Sequence, residues 1–304
     1  MENIQTKLYD DIRVRMDADV LDSYIKTCEC YVPVGIHMIN APLMWNQGYT
    51  GSGITIAILD SGCYQHDDLK NNIIGGKNFT SEGSSDDFND LNGHGTHCAG
   101  IICGNGKILG VAPNANLLIL KVLKKNGEGD CQGIYDAINY AIEQKVDIIS
   151  MSLGMSVDVP EIHTLIKKAT DNNICVVCAG GNEGDGESIT NEYSYPAGYN
   201  ESIAVGAIDN KRVDAPFTNS NKEIDLVAHG VSVISTYLNN EYYSLSGTSQ
   251  ATPHITGALA LLKEYFRKNF GREPSEAELY AQLIKRTIDI KVDVKLQGNG
   301  MLFL

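Results

Sequence analysis

Ile54-Thr55-Ile56-Ala57-Ile58-Leu59-Asp60-Ser61-Gly62 is an apolar run, broken only by Thr55, that stops on a carboxylate, a hydroxyl and a glycine. An apolar stretch this short, with no polar alternation, reads as a strand buried on both faces. Leu117–Leu123, Val146–Leu153, Ile174–Ala179 and Ser202–Ala207 have the same character. Between them, Gly95–Cys103, Cys131–Lys145 and Pro160–Asn172 carry helical spacing; Ile134, Ile138 and Ile142 recur every fourth residue and share one face. Strand and helix in alternation predict an α/β fold, a three-layer αβα arrangement around a mainly parallel sheet. The C-terminal third reads as helical over Ser249–Phe266 and Ser275–Ile288, the latter opening on a capping box, Ser275 with Glu278. No internal repeat or low-complexity tract interrupts the pattern.

The 304 residues are 43% hydrophobic and 20% charged, the composition of a globular protein with a substantial core. That excludes a disordered tail protein, a small disulfide scaffold and a collagen-like repeat. No stretch reaches the roughly 18–20 apolar residues of a membrane span. The opening Met1-Glu2-Asn3-Ile4 lacks the basic-then-apolar pattern of a secretory signal. A cytoplasmic location is therefore expected, with the eight cysteines as reduced structural thiols. The formal net charge of −14 disfavours nucleic acid and anionic membrane as partners. The first forty residues differ in character: Asp10, Asp11, Asp17, Asp19 and Asp22 cluster there, and Pro33 and Pro42 mark extended chain before Trp45. Residues 1–40 are read as an extension (a surface arm, an oligomerisation strap or a removable segment) and 41–304 as the main domain.

Three places set reactive groups where a strand ends or a helix begins. Asp60 closes a buried strand at its carboxyl edge, where open α/β sheets place their sites, although such an aspartate can also serve as a turn cap. In Asn92-Gly93-His94-Gly95-Thr96-His97-Cys98, His94 at the mouth of a helix suits a base near neutral pH. His97, one turn in, reads as a packing residue. The alternative, His94 and His97 as metal ligands, lacks a third ligand at a suitable spacing and the glutamate of a zinc-protease motif. In Gly247-Thr248-Ser249-Gln250-Ala251-Thr252-Pro253-His254, Ser249 is either a helix cap or a nucleophile. A serine alcohol needs an imidazole to take its proton, and the imidazole needs a carboxylate to fix its tautomer. Asp60, His94 and Ser249 supply those parts, in the chain order aspartate, histidine, serine.

These three motifs together resemble the signatures of the subtilisin-like serine proteases, from about Ala41 to Leu304. The stretches Ile142–Gly154 and Glu278–Ile288 are similar to the intracellular subtilisins of spore-forming bacteria in particular. The resemblance implies a subtilisin-like fold and a serine endopeptidase acting through an acyl-enzyme with no catalytic cofactor. Ser249 would attack, His94 would carry the proton and Asp60 would orient His94. Asn182 would donate to the oxyanion beside the Ser249 backbone N–H. Its substrates would be intracellular proteins or a dedicated peptide precursor, bound as an extended strand between Ser152-Leu153-Gly154 and the loop bearing Gly127, Glu128 and Gly129. Ser194 and Met155 stand where the family has glycines and predict a small first specificity pocket. Glu128, Asp130 and Glu183 predict a taste for basic substrate residues.

Further departures carry expectations of their own. Cys131 replaces an aromatic lid or is a small packing residue. Gln250 replaces a methionine beside the nucleophile and so closes one oxidation route. Cys98, close behind His94, predicts sensitivity to thiol reagents. For structural calcium, Asp68 matches a tight site whose loop is shortened here to Gly104–Ile108, and Asp225 matches a weaker cation site. The subgroup implies an N-terminal segment that inhibits its own active site, and a homodimer. The usual Leu-Ile-Pro-Tyr of that segment is missing, since Ile12-Arg13 is followed by Val14-Arg15-Met16-Asp17.

Overall fold

In a computed structural model, which describes residues 5–7, 12–15 and 30–304, nine strands form one sheet. In chain order the strands are β1 (Gln5–Lys7), β2 (Ile12–Arg15), β3 (Thr55–Asp60), β4 (Ile73–Asn78), β5 (Asn116–Lys121), β6 (Glu128–Asp130) and β7 (Ile148–Met151). They continue as β8 (Cys175–Ala179), β9 (Ile203–Ile208), β10 (Ile224–His229), β11 (Val233–Thr236), β12 (Tyr242–Ser246), β13 (Thr287–Ile288) and β14 (Met301–Leu302). The helices are α1 (Val34–Met38), α2 (Ala41–Asn46), α3 (His94–Cys103), α4 (Cys131–Glu143), α5 (Pro160–Asp171), α6 (Thr248–Phe270), α7 (Glu276–Ile284) and α8 (Val294–Gln297).

The sheet order is β13-β14-β10-β9-β8-β7-β3-β5-β4, parallel throughout except where β13 meets β14. Alternate residues of one strand enter different cores, which is why the strands carry no polar alternation. Ile56 and Ile58 face one layer with Ala99 and Ile102 of α3 and Ile255 and Leu259 of α6. Ala57 and Leu59 face the other with Ile134 and Ile138 of α4 and Ile162 and Ile166 of α5. Each such aliphatic side chain, once fully buried, contributes about 1.5–3 kcal/mol. The Ser275–Glu278 capping box forms in both directions, although α7 ends at Ile284, short of the expected Ile288, because the chain turns there into β13.

β3 lies between β5 and β7. The chain crosses over it between those neighbours, so the direction of strand addition reverses there. A crevice opens at the carboxyl ends of strands at such a reversal, and Asp60 is the last residue of β3. The expected boundary at residue 41 falls inside the packed body. Ile36 and Ile39 are already in the main core, and the Leu304 N–H closes on the Ile39 carbonyl at 2.8 Å.

Two small sheets complete the described backbone. β1 pairs antiparallel with β6, Thr6 opposite Gly129. β2 pairs antiparallel with β12, Ile12 opposite Ser246 and Arg15 opposite Tyr243, and β12 in turn pairs with β11. The β11–β12 hairpin holds α3 through polar contacts: the Ser235 and Thr236 hydroxyls donate to the His97 and Thr96 carbonyls at 2.7 and 2.8 Å. Gly100 permits this approach, because a Cβ there would meet the Thr236 Oγ1 at 2.2 Å. No described helix is long and apolar enough to cross a membrane.

Candidate active site

Asp60 and His94 are joined directly. His94 Nδ1 lies 2.8 Å from Asp60 Oδ1 and 3.0 Å from Oδ2, and both side chains are buried. A carboxylate only accepts, so Nδ1 carries the proton, and the lone pair falls on Nε2 at the far side of the ring. The Ser61 N–H adds a further hydrogen bond to Asp60 Oδ1 at 2.7 Å. Asp60 is thus a fixed acceptor, not the turn cap that its position alone allows.

His94 is the first residue of α3, and the residue before it, Gly93, has φ 100° and no side chain with which to cap the helix. Asp90 supplies the missing acceptors. Its Oδ1 accepts from the Asn92 and Gly93 N–H groups at 2.8 and 2.9 Å and from Ser61 Oγ at 3.0 Å. Its Oδ2 accepts from the Thr96 N–H and hydroxyl at 3.0 and 2.6 Å. Ser61 Oγ in turn accepts from the Gly95 N–H at 3.0 Å. Lys121, only 2% exposed, sends its ammonium to the Ser61 carbonyl at 2.7 Å. Burial lowers the Lys121 pKa, while Asp90 and, more weakly, Asp60 act to raise it. Sequence reasoning passed over Asp90, Ser61 and Lys121, whose partners become visible only once β3, β5 and the 90–96 segment are adjacent.

Ser249 is the second residue of α6, and Gly247 occupies the cap position, so the cap reading of Ser249 does not hold. Pro253 lacks the N–H that would close the helix onto the Ser249 carbonyl. That carbonyl instead accepts from Ser152 Oγ at 2.9 Å and from Cys98 Sγ at 3.5 Å. Ser249 Oγ donates back to the Ser152 carbonyl at 3.2 Å. The first turn of α6 is thereby tied to the segment Ser152-Leu153-Gly154. Cys98 Sγ also lies 3.9 Å from His94 Nδ1, which brings the serine and histidine elements to one spot.

Asn182 sits beside them. Its Oδ1 accepts from the Thr248 N–H at 2.8 Å and the Thr248 hydroxyl at 2.9 Å, which turns the amide NH2 end the other way. Glu183 steadies the same loop: its Oε2 accepts from the Asn182 N–H at 3.1 Å and from Asn219 Nδ2 at 3.2 Å. Asp130 caps α4, accepting from the Gly133 N–H at 2.8 Å. Two of the three carboxylates expected to face substrate therefore also hold structure. Glu128 is exposed at the tip of the turn that Gly127 makes at φ 82°.

The two segments expected to line the first pocket are joined. Met155 and Tyr195 exchange backbone hydrogen bonds of 2.8 and 2.9 Å in an antiparallel bridge, which sets Gly154 opposite Pro196 and buried Ser194 opposite Ser156. The Met155 Sδ lies 3.5 Å from Cys131 Sγ, and both side chains are buried with Ile134 and Leu153. Cys131 is thus a packing residue under the edge loop. His97 is likewise structural: its Nε2 meets the Val233 and Tyr243 carbonyls at 3.1 and 3.0 Å, so the reading of His94 and His97 as a metal pair fails.

The cation sites have no open face. Asp68 accepts from the Lys107 and Ile108 N–H groups at 3.0 and 2.9 Å and from the Tyr242 hydroxyl at 2.9 Å. The shortened loop has moved its amides to where a cation would stand. Asp225 accepts from the Tyr280 hydroxyl at 2.6 Å and the Ala204 N–H at 2.8 Å, and burial pushes its pKa up to about 6. Proton donors face every one of these oxygens, and the residues do not fit calcium.

A parallel α/β sheet with a buried aspartate–histidine pair at its carboxyl edge, and a serine in the first turn of a neighbouring helix, is the arrangement expected of a serine hydrolase. The chain belongs to the subtilase family, whose profile it matches over residues 51–302, and it is a subtilisin-like serine endopeptidase. It is 54% identical over 280 residues to the major intracellular serine protease of Bacillus subtilis (strain 168), covering 90% of this chain and 88% of that one. It is also 54% identical to an intracellular serine protease of Paenibacillus polymyxa, over 90% of this chain and 85% of the other. Subtilisin E of Bacillus subtilis (strain 168) is 41% identical over 235 residues, 76% of this chain and 61% of that protein.

Proposed function

We infer that Ser249 is the nucleophile of an intracellular endopeptidase, His94 its general base and acid, and Asp60 the group that holds the imidazole. The observation that carries this reading is the buried Asp60–His94 pair at 2.8 Å. An acceptor locked on Nδ1 presets the tautomer that takes the Ser249 proton and stabilises the imidazolium that results. As the alcohol adds to the peptide carbonyl, negative charge builds on its oxygen. The Ser249 N–H, in the first turn of α6, and the Asn182 amide are the donors for that charge. The proton then passes from His94 to the leaving amine, and water, deprotonated in turn, releases the acyl group.

Substrate lies extended between β6 and Ser152–Gly154, with its first side chain in the pocket of Gly154, Met155 and Ser194. Two residues larger than glycine at that wall favour small or slender side chains over aromatic ones, and hence a narrower set of intracellular substrates. The part of the N-terminal extension ahead of the packed body acts as an inhibitor in cis. β1 covers the outward edge of β6, the edge substrate needs, and β2 covers the edge of β12 next to the nucleophile, which supports this reading. Residues 8–11, which link β1 to β2 in the sequence, lie outside the described residues, as do Asp10, Asp11, Asp17, Asp19 and Asp22.

The test is digestion of a mixed peptide library by the full chain and by its Ser249→Ala variant, with the products sequenced. Cleavage after small and slender residues by the wild type alone is the expected result. Equal cleavage by both would overturn it.

A further inference from the structure

At the end of the sheet away from Ser249, the amino ends of β7 and β8 and the second half of α6 enclose a cavity of about 320 Å³, within the size range of small-molecule sites. Lys263 and Ser249 share α6, and their separation along the chain sets them about 21 Å apart on its axis. Ile142, Val146, Ile174 and Pro274 give the cavity an apolar wall, and Lys263 and Arg267, one helical turn apart, give it a cationic side. The Lys263 side chain is only 5% exposed, and among the described residues its ammonium meets one acceptor at hydrogen-bond distance, Asp147 Oδ1 at 2.8 Å. Glu273 Oε2, at 4.0 Å, is too far. Two of the three ammonium donors are thus left over. Arg267 sends Nε to Glu273 Oε1 at 2.6 Å, one Nη1 proton to the Gly53 carbonyl at 2.8 Å and one Nη2 proton to Asp147 Oδ1 at 2.6 Å, which leaves two more. Asp147 is already engaged on both oxygens, since its Oδ2 accepts from the Thr55 N–H at 2.8 Å. A buried ammonium with unused donors costs free energy unless an acceptor reaches it. With Lys145 at the rim, three cations face two carboxylates, a local surplus of one positive charge in a chain of net charge −14.

We propose that this cavity is a binding site, separate from the active site, for a monocarboxylate with an apolar body, the chemistry of a peptide's C-terminal residue. The carboxylate accepts from Lys263 and Arg267, and its single negative charge matches the local surplus. A phosphate dianion would bring a second charge against Asp147 and Glu273. The apolar body covers Ile142, Val146, Ile174 and Pro274, and that burial adds to the affinity. Hydrogen bonds between ionised partners are the strong kind, the more so in a cavity that holds them out of bulk water. Binding is noncovalent and moves no proton, because the acid and both cations carry their charges at neutral pH. A peptidase releases such ends at every turnover, and the cavity selects them by chemistry whatever their source.

The test is thermal unfolding of full-length Ser249→Ala protein with N-acetyl-leucine, against an equal concentration of sodium chloride. At about 20 mM acid and a Kd of about 1 mM, the melting temperature is expected to rise by about 3–4 °C. N-acetyl-leucinamide, which has the body without the charge, is expected to shift it by less than about 1 °C. Hexanoate, a free acid with no peptide group, is run in parallel, and whichever acid shifts more identifies the source; a shift by either supports the proposal. Lys263→Met keeps the stem and removes the ammonium. Measured against its own melting temperature, it is expected to lose the response to both acids. Lys145→Ala, at an exposed position, keeps the test open if the methionine variant does not fold, and is expected to reduce the response by about half. No shift with either acid, an equal shift with the amide, or equal shifts in parent and variants, which would put the acid elsewhere on the chain, the active-site cleft included, overturns the proposal. None of these results bears on the peptidase reading, because no turnover is measured.

Discussion

Replacing Asp90 tests whether the start of α3 is what holds His94 in place. Asp90→Ala removes the acceptors of the Asn92, Gly93 and Thr96 N–H groups and of the Ser61 and Thr96 hydroxyls. Hydrogen bonds to a charged group are each worth about 1.5–3 kcal/mol, but water and local rearrangement recover part. The loss of one partner from a buried ionic cluster sets the scale at about 3–5 kcal/mol. At about 2 °C per kcal/mol for a chain of this size, the melting temperature falls by about 6–10 °C. Asp90→Asn keeps one acceptor oxygen and is expected to lose about half as much. The catalytic effect exceeds the stability effect, because a shift of about 1 Å in a catalytic group costs about 10²-fold in rate. Thermal unfolding is followed in a Ser249→Ala background, which removes self-digestion, and kcat and KM are measured in the otherwise native chain at a temperature where the variant is folded. The expected pattern is a kcat reduced by about 10²-fold with KM nearly unchanged. A variant that melts within about 2 °C of the parent and keeps full kcat would refute the role given to Asp90.

Deleting residues 1–16 is expected to raise the initial rate on a short peptide and abolish any lag; a rate equal to that of the full chain counts against inhibition in cis. Ser194→Gly and Met155→Gly are expected to raise kcat/KM for Phe or Tyr at the cleavage position by about tenfold, the scale of a few methylenes of pocket space; a preference left unchanged removes these residues from the pocket wall. Acid destabilisation is expected from a buried histidine pair. Burial lowers the His229 pKa to about 4 and that of His254 to about 3, against about 6.5 in the unfolded chain. The unfolded state therefore binds more protons between about pH 4 and 6.5, and stability falls as pH drops through that window. His229→Asn in the Ser249→Ala background is expected to reduce that slope by about one proton, about 1.4 kcal/mol per pH unit, in urea unfolding at several pH values; parallel slopes contradict it. A calcium chelator is expected to leave the melting temperature unchanged, since amide and hydroxyl donors already face Asp68 and Asp225; a fall of several degrees refutes that.

The residues legible in advance were those whose signal is local. Ile56 to Leu59 announce burial on both faces because each neighbour enters a different core, and Ser275 with Glu278 announces a helix start within four residues. Asp60, His94 and Ser249 stand out in the sequence as residue types at strand and helix ends, together with a family likeness. What stayed hidden depends on partners far along the chain. Lys121 reads as the polar end of a strand, yet it is buried because the Ser61 carbonyl receives its ammonium. The β11–β12 hairpin lacks a clean alternation because its job is polar, gripping the Thr96 and His97 carbonyls. Asp68 matched a calcium ligand by position, but the shortened loop brings amides to it instead.

The account stands most directly on which atom becomes acylated. A serine-directed phosphonyl reagent, followed by peptide mass spectrometry, is expected to place a single adduct on Ser249 in the wild type and almost none in His94→Ala, because the alcohol loses its base. An adduct at another serine, or equal labelling of Ser249 without His94, would contradict the roles assigned to these residues.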